Sequence, residues 1–268
     1  MDDLLQGYEE RAFDGEAIGK LGKTNYSGIK SEYKVFTVRA EGEQRVEVCV
    51  RFIPAFSPYV KAGTFLLPVF RHELRAVEGR FGMMVLCTNP QHNAFVKSDE
   101  GCRICAALRK YAHPDAWQYF KVKRPWLLTW IIDRDRMSQG PMLWYFPKTL
   151  VEDLNVMAGR KCAGRDIAHP LEGYDIVVSR SGTGFNTRYR IVDFDGPKPL
   201  SSDRNDMREW LKYVKDHPIH DVFEPVSAED QDLFVSRALS MLYPDGVPDG
   251  DGGSPVSAAD ELDDELPF

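Results

Sequence analysis

The segment from His72 to Cys105 reads HELRAVEGRFGMMVLCTNPQHNAFVKSDEGCRIC, and it carries cysteines at Cys87, Cys102 and Cys105. Fourteen residues separate His72 from Cys87, fourteen more separate Cys87 from Cys102, and two separate Cys102 from Cys105. A Cys-x-x-Cys turn presents two thiolates to one ion, and a second pair of ligands completes the tetrahedron that zinc prefers. We therefore predict one structural zinc ion (Zn2+) bound by these four residues.

Two alternatives stay open for this segment. His92 also lies between the cysteines, and spacing alone does not exclude it as the fourth ligand in place of His72. A lone Cys-x-x-Cys followed by a helix can also be a redox-active pair, or simply two ordinary thiols. No strand of a βαβ pattern leads directly into Cys102, which favours the metal. We interpret Cys49 and Cys162 as ordinary buried or half-buried thiols.

Length and composition bound the class of protein. The chain has 268 residues, of which 43% are hydrophobic, enough for a sizeable core. No apolar run approaches the roughly 18 residues that a membrane helix needs. The first residues, Met1-Asp2-Asp3, carry no export signal, and an odd count of five cysteines fits a reducing compartment. We predict a cytoplasmic protein.

The net charge of −7 is unevenly distributed along the chain. Eight acidic residues and no basic residue follow Pro244, so the remainder has 33 acidic and 34 basic residues. Six more acidic residues lie among the first sixteen positions. The centre is therefore mildly basic between two acidic ends, which is compatible with a nucleic-acid groove that an acidic segment can occupy in competition.

Hydrophobic periodicity predicts a mostly β chain with a few helices. Alternation from Arg45 to Phe56 indicates a half-buried strand, since β-branched residues recur at every second position. Capping boxes at Thr149–Glu152 and Ser227–Asp230 predict two helix starts. Further predicted strands span 64–70, 83–87, 126–132, 142–146, 173–179 and 188–194, and further helices span 103–111 and 203–216. This order suits an OB-fold, a five-stranded Greek-key barrel, with an inserted zinc-binding subdomain and C-terminal helices, although a β-sandwich fits the strands equally well.

The predicted domain organisation follows from these elements. Residues 1–30 form a flexible N-terminal arm, and residues 31–225 form the OB-fold core, with the zinc subdomain at about 72–112. Residues 226–243 form a C-terminal helix. Residues 244–268 are rich in Asp, Gly, Pro and Ser, which predicts a disordered acidic tail.

Two clusters combine aromatic with basic side chains. Single-stranded nucleic acid is held by a positive groove and by aromatic faces on which bases stack. The first cluster contains Tyr119, Lys121, Lys123, Arg124 and Trp126, and the second contains Arg180, Phe185, Arg188 and Tyr189. Any single aromatic residue here is as readily a core residue, and we assign Trp130 and Phe146 to the core. The two groups together favour single-stranded DNA as the ligand.

The acidic tail closes on an apolar motif, which a purely solvating tail does not need. The closing residues are Asp263, Asp264, Glu265, Leu266, Pro267 and Phe268. A terminal Phe can fill a pocket while the acids contact a basic rim, so we predict a docking peptide for partner proteins. No phosphate-binding loop, nucleophile elbow or His-Glu-x-x-His motif is present, and the deaminase pattern lacks its glutamate. We expect no enzymatic activity.

Several blocks resemble, in the same order, the zinc-containing single-stranded DNA-binding (helix-destabilising) proteins of T-even phages. These blocks are Val50-Arg51-Phe52-Ile53-Pro54, the four ligands with Gly79-Arg80-Phe81, Val122-Lys123-Arg124, Phe146-Pro147-Lys148, Pro170-Leu171-Glu172-Gly173 and Ser181-Gly182-Thr183-Gly184-Phe185. The resemblance covers roughly residues 45–195. It implies an OB-fold with a zinc subdomain, a DNA groove between them and a regulatory acidic tail. It favours His72 over His92, and it implies that Trp126, Trp144, Phe185 and Tyr189 lie near the DNA.

The resemblance fails at the N-terminus, where the family has a basic segment and this chain begins Met1-Asp2-Asp3. The Pro267-Phe268 ending is instead similar to the tail of bacterial single-strand-binding proteins, which recruits other enzymes. We thus expect a sequence-independent, phage-type protein that protects single-stranded DNA in replication, recombination and repair, and that binds proteins of these processes through its tail. The alternative is a zinc-bearing interaction adaptor that binds no nucleic acid.

Overall fold

The computed structural model describes residues 26–38, 45–61, 64–74, 83–97, 101–111, 125–162, 165–183 and 186–243. The strands within these ranges are β1 (Tyr26–Ser27), β2 (Val46–Phe52), β3 (Leu67–Val69), β4 (Arg71–Leu74), β5 (Met83–Leu86), β6 (Trp126–Asp133), β7 (Met142–Phe146), β8 (Gly173–Ser181) and β9 (Arg188–Lys198). The α-helices are α1 (Arg103–Lys110), α2 (Thr149–Lys161), α3 (Arg204–Asp216) and α4 (Ala228–Leu242). Short 3-10 helices span Arg134–Gln139 and Ile219–Asp221.

The chain divides into two compact units. The sheet unit contains Ile29–Val69 and Pro125–Glu224. The cysteine unit contains Thr24–Gly28, Phe70–Arg124 and the chain from Pro225 onward. Each unit is therefore assembled from separate stretches of sequence.

The sheet unit is built on one antiparallel sheet in the order β7-β6-β2-β8-β9. Strand β6 pairs with β7 on one edge, and with β2 and β3 on the other. The second edge of β7 is occupied by residues 34–36, because Phe36 N–H donates to Leu143 O and Leu143 N–H donates to Lys34 O. Helix α2 connects β7 to β8 in the chain, and β8 and β9 form a hairpin.

Aromatic rings fill both faces of this sheet. Phe52, Trp144 and Phe146 lie on one face, where the rings of Phe52 and Trp144 stack with centroids 6.3 Å apart. Trp130 lies on the other face and packs edge-on against Tyr213 of α3. Helix α3 confirms the predicted helix at 203–216, and its buried residues are Met207, Trp210, Leu211 and Val214.

Arg51 departs from the predicted alternation of β2. Its side chain is fully buried rather than exposed, because Asp175 lies opposite it on β8. The Arg51 guanidinium donates to the carbonyl oxygens of His169 and Lys198, and burial lowers its pKa to about 10. Asp175 in turn accepts two hydrogen bonds from Arg134 and pairs with Lys198. A buried charge is tolerated when it is paired and hydrogen-bonded in this way.

The two predicted capping boxes have different outcomes. Ser227 caps α4, since its hydroxyl accepts from Asp230 N–H and the Asp230 carboxylate accepts from Ser227 N–H, as predicted. At α2 the N-cap is Lys148, with no side-chain hydrogen bond, so the box at Thr149–Glu152 is wrong. Pro147 accounts for the shift, because its carbonyl accepts from Leu150 N–H and the turn begins before Thr149.

The cysteine unit has a three-stranded sheet, β1-β5-β4, and two packed helices, α1 and α4. Strands β4 and β5 are antiparallel, with His72 opposite Val85. Helix α4, which we predicted as a separate C-terminal helix, contributes Phe234, Ala238, Leu239 and Leu242 to the core around the three cysteines. The antiparallel strands and short helices of both units agree with the expected mostly β fold. Among the described residues, none of the helices is both long and apolar enough to cross a membrane.

Candidate metal centre

Strand pairing and one tight turn bring the four predicted ligands together. His72 lies in β4, and Cys87 follows the end of the neighbouring strand β5. Cys102 is the N-cap residue of α1, and Cys105 lies in the first turn of that helix. Gly101 precedes them with φ of +72°, a left-handed conformation that glycine adopts without strain and that turns the chain into the helix.

The ligand atoms of His72, Cys87, Cys102 and Cys105 all lie within 4.8 Å of one another. His72 Nε2 is 3.2 Å from Cys102 Sγ and 3.6 Å from Cys105 Sγ, and Cys87 Sγ is 3.6 Å from Cys105 Sγ. With Zn–S near 2.3 Å and Zn–N near 2.0 Å, a tetrahedral ion separates its ligand atoms by about 3.5–3.8 Å. This group can therefore hold one metal ion with little rearrangement.

All four side chains are buried, with His72 and Cys87 at 0% exposure. The neighbours include Leu74, Val85 and Phe234, and the Phe234 ring lies 6.2 Å from the His72 ring. Such surroundings exclude water from the first coordination shell. A site with four protein ligands and no open position is typical of a structural ion rather than a catalytic one.

Hydrogen bonds among the three thiols shift their pKa values in different directions. Hydrogen bonds with Cys105 and Cys87 lower the pKa of the Cys102 thiol. The hydrogen bond with Cys102 raises the pKa of the Cys105 thiol to about 12. It also raises the pKa of the Cys87 thiol. A bound cation would favour deprotonation of all three thiols.

The side chain of Gln231 in α4 accepts hydrogen bonds from residues next to the Cys102–Cys105 turn. Its Oε1 atom accepts from Arg103 N–H at 2.9 Å and from the Thr88 hydroxyl at 3.2 Å. The Thr88 hydroxyl is also 2.9 Å from Gly101 O. This buried amide connects the segment after Cys87 to the start of α1. Sequence reasoning missed Gln231 because it lies more than a hundred residues from its partners and carries no local motif.

His92 lies beside the cluster without being part of the four-membered group. Its Nδ1 atom is 3.2 Å from Cys87 Sγ and 3.8 Å from Cys105 Sγ, and its side chain is only half-buried. Burial lowers the pKa of His92. His72 is the fully buried imidazole, in contact with both cysteines of the knuckle. The geometry therefore favours His72 as the ligand, in agreement with the resemblance.

Only some of the predicted DNA-contacting residues lie within the described ranges. Tyr119, Lys121, Lys123, Arg124 and Phe185 lie outside the described residues, as does the tail peptide 263–268. Arg180 and Tyr189 are paired across the β8–β9 hairpin, and Arg188 is exposed beside them. Trp126 is exposed at the start of β6. These four residues lie where a ligand can reach them.

Trp144 requires a correction. It is 3% exposed and packs against Phe36, Phe52 and Phe146 in the core of the sheet unit. A ring without an exposed face offers no surface on which a base can stack, so we remove Trp144 from the candidate DNA-contacting residues. Alternation along β7 contains the signal, because Trp144 lies two residues before Phe146 and so faces the same core.

Tyr145 is the residue that the sequence reasoning missed on this strand. It points to the face opposite Trp144, and its ring packs edge-on against Trp126 with centroids 5.1 Å apart. Trp126 is 38% exposed and Tyr145 is half-buried. The pair thus forms a partly exposed aromatic surface at the start of β6.

No protein-family model matches the sequence, and no curated protein matches it.

Proposed function

We propose that this chain is a sequence-independent single-stranded DNA-binding protein, with an OB-fold in the sheet unit and one structural zinc ion in the cysteine unit. The observation that carries the proposal is the strand order of the sheet unit. Taken in chain order, the long strands β2, β6, β7, β8 and β9 are strands 1 to 5, and they are arranged 3-2-1-4-5. A helix, α2, lies between the third and fourth strands. This strand order is compatible with a five-stranded Greek-key OB-fold, in which residues 34–36 pair with the second edge of the third strand.

The positions of the exposed aromatic and basic residues support the same ligand class. OB-folds bind oligonucleotides on the face of strands 2 and 3 and on the loops that follow strands 1 and 4. Trp126 lies on the second strand and Tyr145 on the third. Arg180, Arg188 and Tyr189 flank the loop after the fourth strand. Lys121, Lys123 and Arg124 belong, in sequence, to the long connection after the first.

These residues suggest a binding mechanism without catalysis. Bases stack on Trp126 and Tyr145, at about 1–3 kcal/mol per base, while arginine and lysine side chains neutralise phosphates. Aromatic faces accept every base, so no sequence preference is needed. Binding displaces counterions, so the affinity falls as salt rises. For a single strand, the slope of log K against log salt concentration is about −0.7 per neutralised phosphate.

The chemistry of the donor set supports zinc as the ion. Three thiolates and one imidazole are borderline-soft ligands, and their spacing matches a tetrahedral Cys₃His site. His72, Cys87, Cys102 and Cys105 would hold the ion. Zinc supplies no redox chemistry there and serves to crosslink β4, the segment after β5 and α1.

We extend the proposal to the phage-type assignment and to the tail. Residues 263–268 would dock on proteins of replication, recombination and repair, since an acidic peptide ending in Phe fits a pocket with a basic rim. The ordered set of resembling blocks between residues 45 and 195 supports the phage-type assignment.

The deciding experiment measures binding of the full chain to oligo-dT and to duplex DNA of equal length. We expect the single strand to bind more tightly, tryptophan fluorescence to be quenched, and the affinity to fall steeply from 50 to 300 mM salt. Trp126→Leu should weaken oligo-dT binding by about tenfold or more, in line with the loss of one stacked base. Lys212→Ala on α3 is the control, since it removes one exposed charge elsewhere on the sheet unit. A zinc-loaded chain that binds neither nucleic acid would instead support the adaptor alternative.

A further inference from the structure

The loop that carries His92 is held in place by buried hydrogen bonds. Asn93, which is 1% exposed, donates from Nδ2 to Phe70 O and Cys87 O and accepts from Phe70 N–H. The backbone N–H groups of His92 and Asn93 both donate to Asn89 O. The chain therefore turns back immediately after Cys87, and this turn places the His92 ring beside the Cys87 sulfur.

The contact between His92 Nδ1 and Cys87 Sγ has a defined polarity when a metal is bound. A coordinated cysteine is a thiolate and has no proton to donate. An unprotonated ring nitrogen at 3.2 Å would place a lone pair against the negative sulfur, so Nδ1 must carry the hydrogen and donate it.

His92 is also not needed as a metal ligand. His72 and the three cysteines already provide the four donors of a tetrahedral ion. Outer-shell partners that hydrogen-bond a ligand typically fix its orientation and tune the affinity for the metal. Cys87 lies outside the Cys102–Cys105 turn, and His92 Nδ1 is closer to its sulfur, at 3.2 Å, than to that of Cys105, at 3.8 Å.

We propose that His92 is a positioning residue that donates an Nδ1–H hydrogen bond to the metal-bound thiolate of Cys87. This inference rests on the proposed zinc site and assigns His92 a role distinct from ligation. The hydrogen bond offsets part of the negative charge of three thiolates on one divalent ion. It also fixes the Cys87 side chain against the loop that Asn93 anchors.

The test compares wild type with His92→Phe and His92→Asn in the full chain. Phe keeps a ring beside Phe70 but has no donor, whereas the amide nitrogen of Asn occupies a place similar to Nδ1. Zinc affinity is measured by competition with a chromophoric chelator. Cobalt(II) loading reports the sulfur-to-metal charge-transfer band and the coordination number. Circular dichroism of the loaded variants reports folding.

We expect His92→Phe to bind one metal ion per chain with about 10–100-fold lower affinity, a shifted charge-transfer band and an unchanged tetrahedral spectrum. His92→Asn should recover most of the affinity and the band position. Affinity and band both equal to wild type in His92→Phe would overturn the proposal. A change of coordination number in that variant would also overturn it, by making His92 a ligand. Wild type that binds no metal would overturn the zinc site itself, which is a separate outcome.

Discussion

The two units are stabilised in different ways. The sheet unit buries several large aromatic side chains, among them Trp130, Phe36 and Phe52, and its interior also contains the Arg51–Asp175 ion pair. Among the described residues, the core cluster around the cysteines contains eleven buried residues, three of which are cysteines and two alanines. A small core of this kind gains little from apolar burial and commonly needs a crosslink. From this difference we expect the sheet unit to be stable by packing and the cysteine unit to depend on the proposed ion.

Metal removal gives the largest expected effect and tests the comparison directly. A strong chelator should abolish the amide-exchange protection of β4, β5, α1 and α4, because structural zinc contributes about 10 kcal/mol or more to folding. Strands β6 and β8 should keep their protection. Hydrogen exchange read by mass spectrometry distinguishes the units. Equal loss in both, or none in the cysteine unit, would contradict the comparison.

Arg51→Met tests the polar interior of the sheet unit. We expect a loss of about 3 kcal/mol in the free energy of unfolding, the lower end for a broken buried ion pair, because Asp175 keeps Arg134 and Lys198. The metal content should stay at one ion per chain. Arg45→Met, which removes an exposed arginine paired with Glu47, is the control and should leave the denaturant midpoint unchanged. Equal midpoints for the two variants would show that the buried pair contributes nothing.

Gln231→Ala tests whether the hydrogen bonds of α4 stabilise the backbone next to the proposed metal ligands. Arg103 N–H loses its buried acceptor, whereas the Thr88 hydroxyl keeps Gly101 O, so we expect a cost of about 1–3 kcal/mol to the cysteine unit. Exchange should accelerate in α1 and α4 but not in β8. The neighbouring Asp232→Ala removes an exposed ion pair with Arg103 and serves as the control. The same exchange pattern in both variants would argue against a specific role for the amide.

Ser227→Ala should have the smallest effect. Loss of a capping hydroxyl costs about 1 kcal/mol, and the loss should appear as fraying of the first turn of α4. Thr149→Ala is the matched control, since that residue caps nothing in α2. Chemical denaturation measures the stability of both variants, and hydrogen exchange measures the fraying of the helix in each. Comparable losses would mean that the Thr149 hydroxyl contributes after all.

The sequence predicts those features that depend on local spacing. The Cys-x-x-Cys turn and the helix at 203–216 follow from spacing over a few residues, whereas the choice of His72 over His92 came from the resemblance. Arg51 could not be predicted to be buried, since its partner Asp175 is more than a hundred residues away. Gln231 was unpredictable for the same reason. Trp144 was predictable, because period-two alternation places it on the core face with Phe146, and the family resemblance misled the interpretation.

The cysteine unit draws on residues 26–28, on Phe70–Arg124 and on the chain after Pro225, with the sheet unit interleaved between them. During synthesis the ligands at 72–105 leave the ribosome well before α4, which supplies Phe234 and Leu239 to their core. Metal can therefore be captured by the nascent chain at a stage when one side of the cluster still lacks its helix. A chain that ends at residue 224 would therefore contain every strand of the sheet unit but lack α4, the helix that packs beside the thiol cluster.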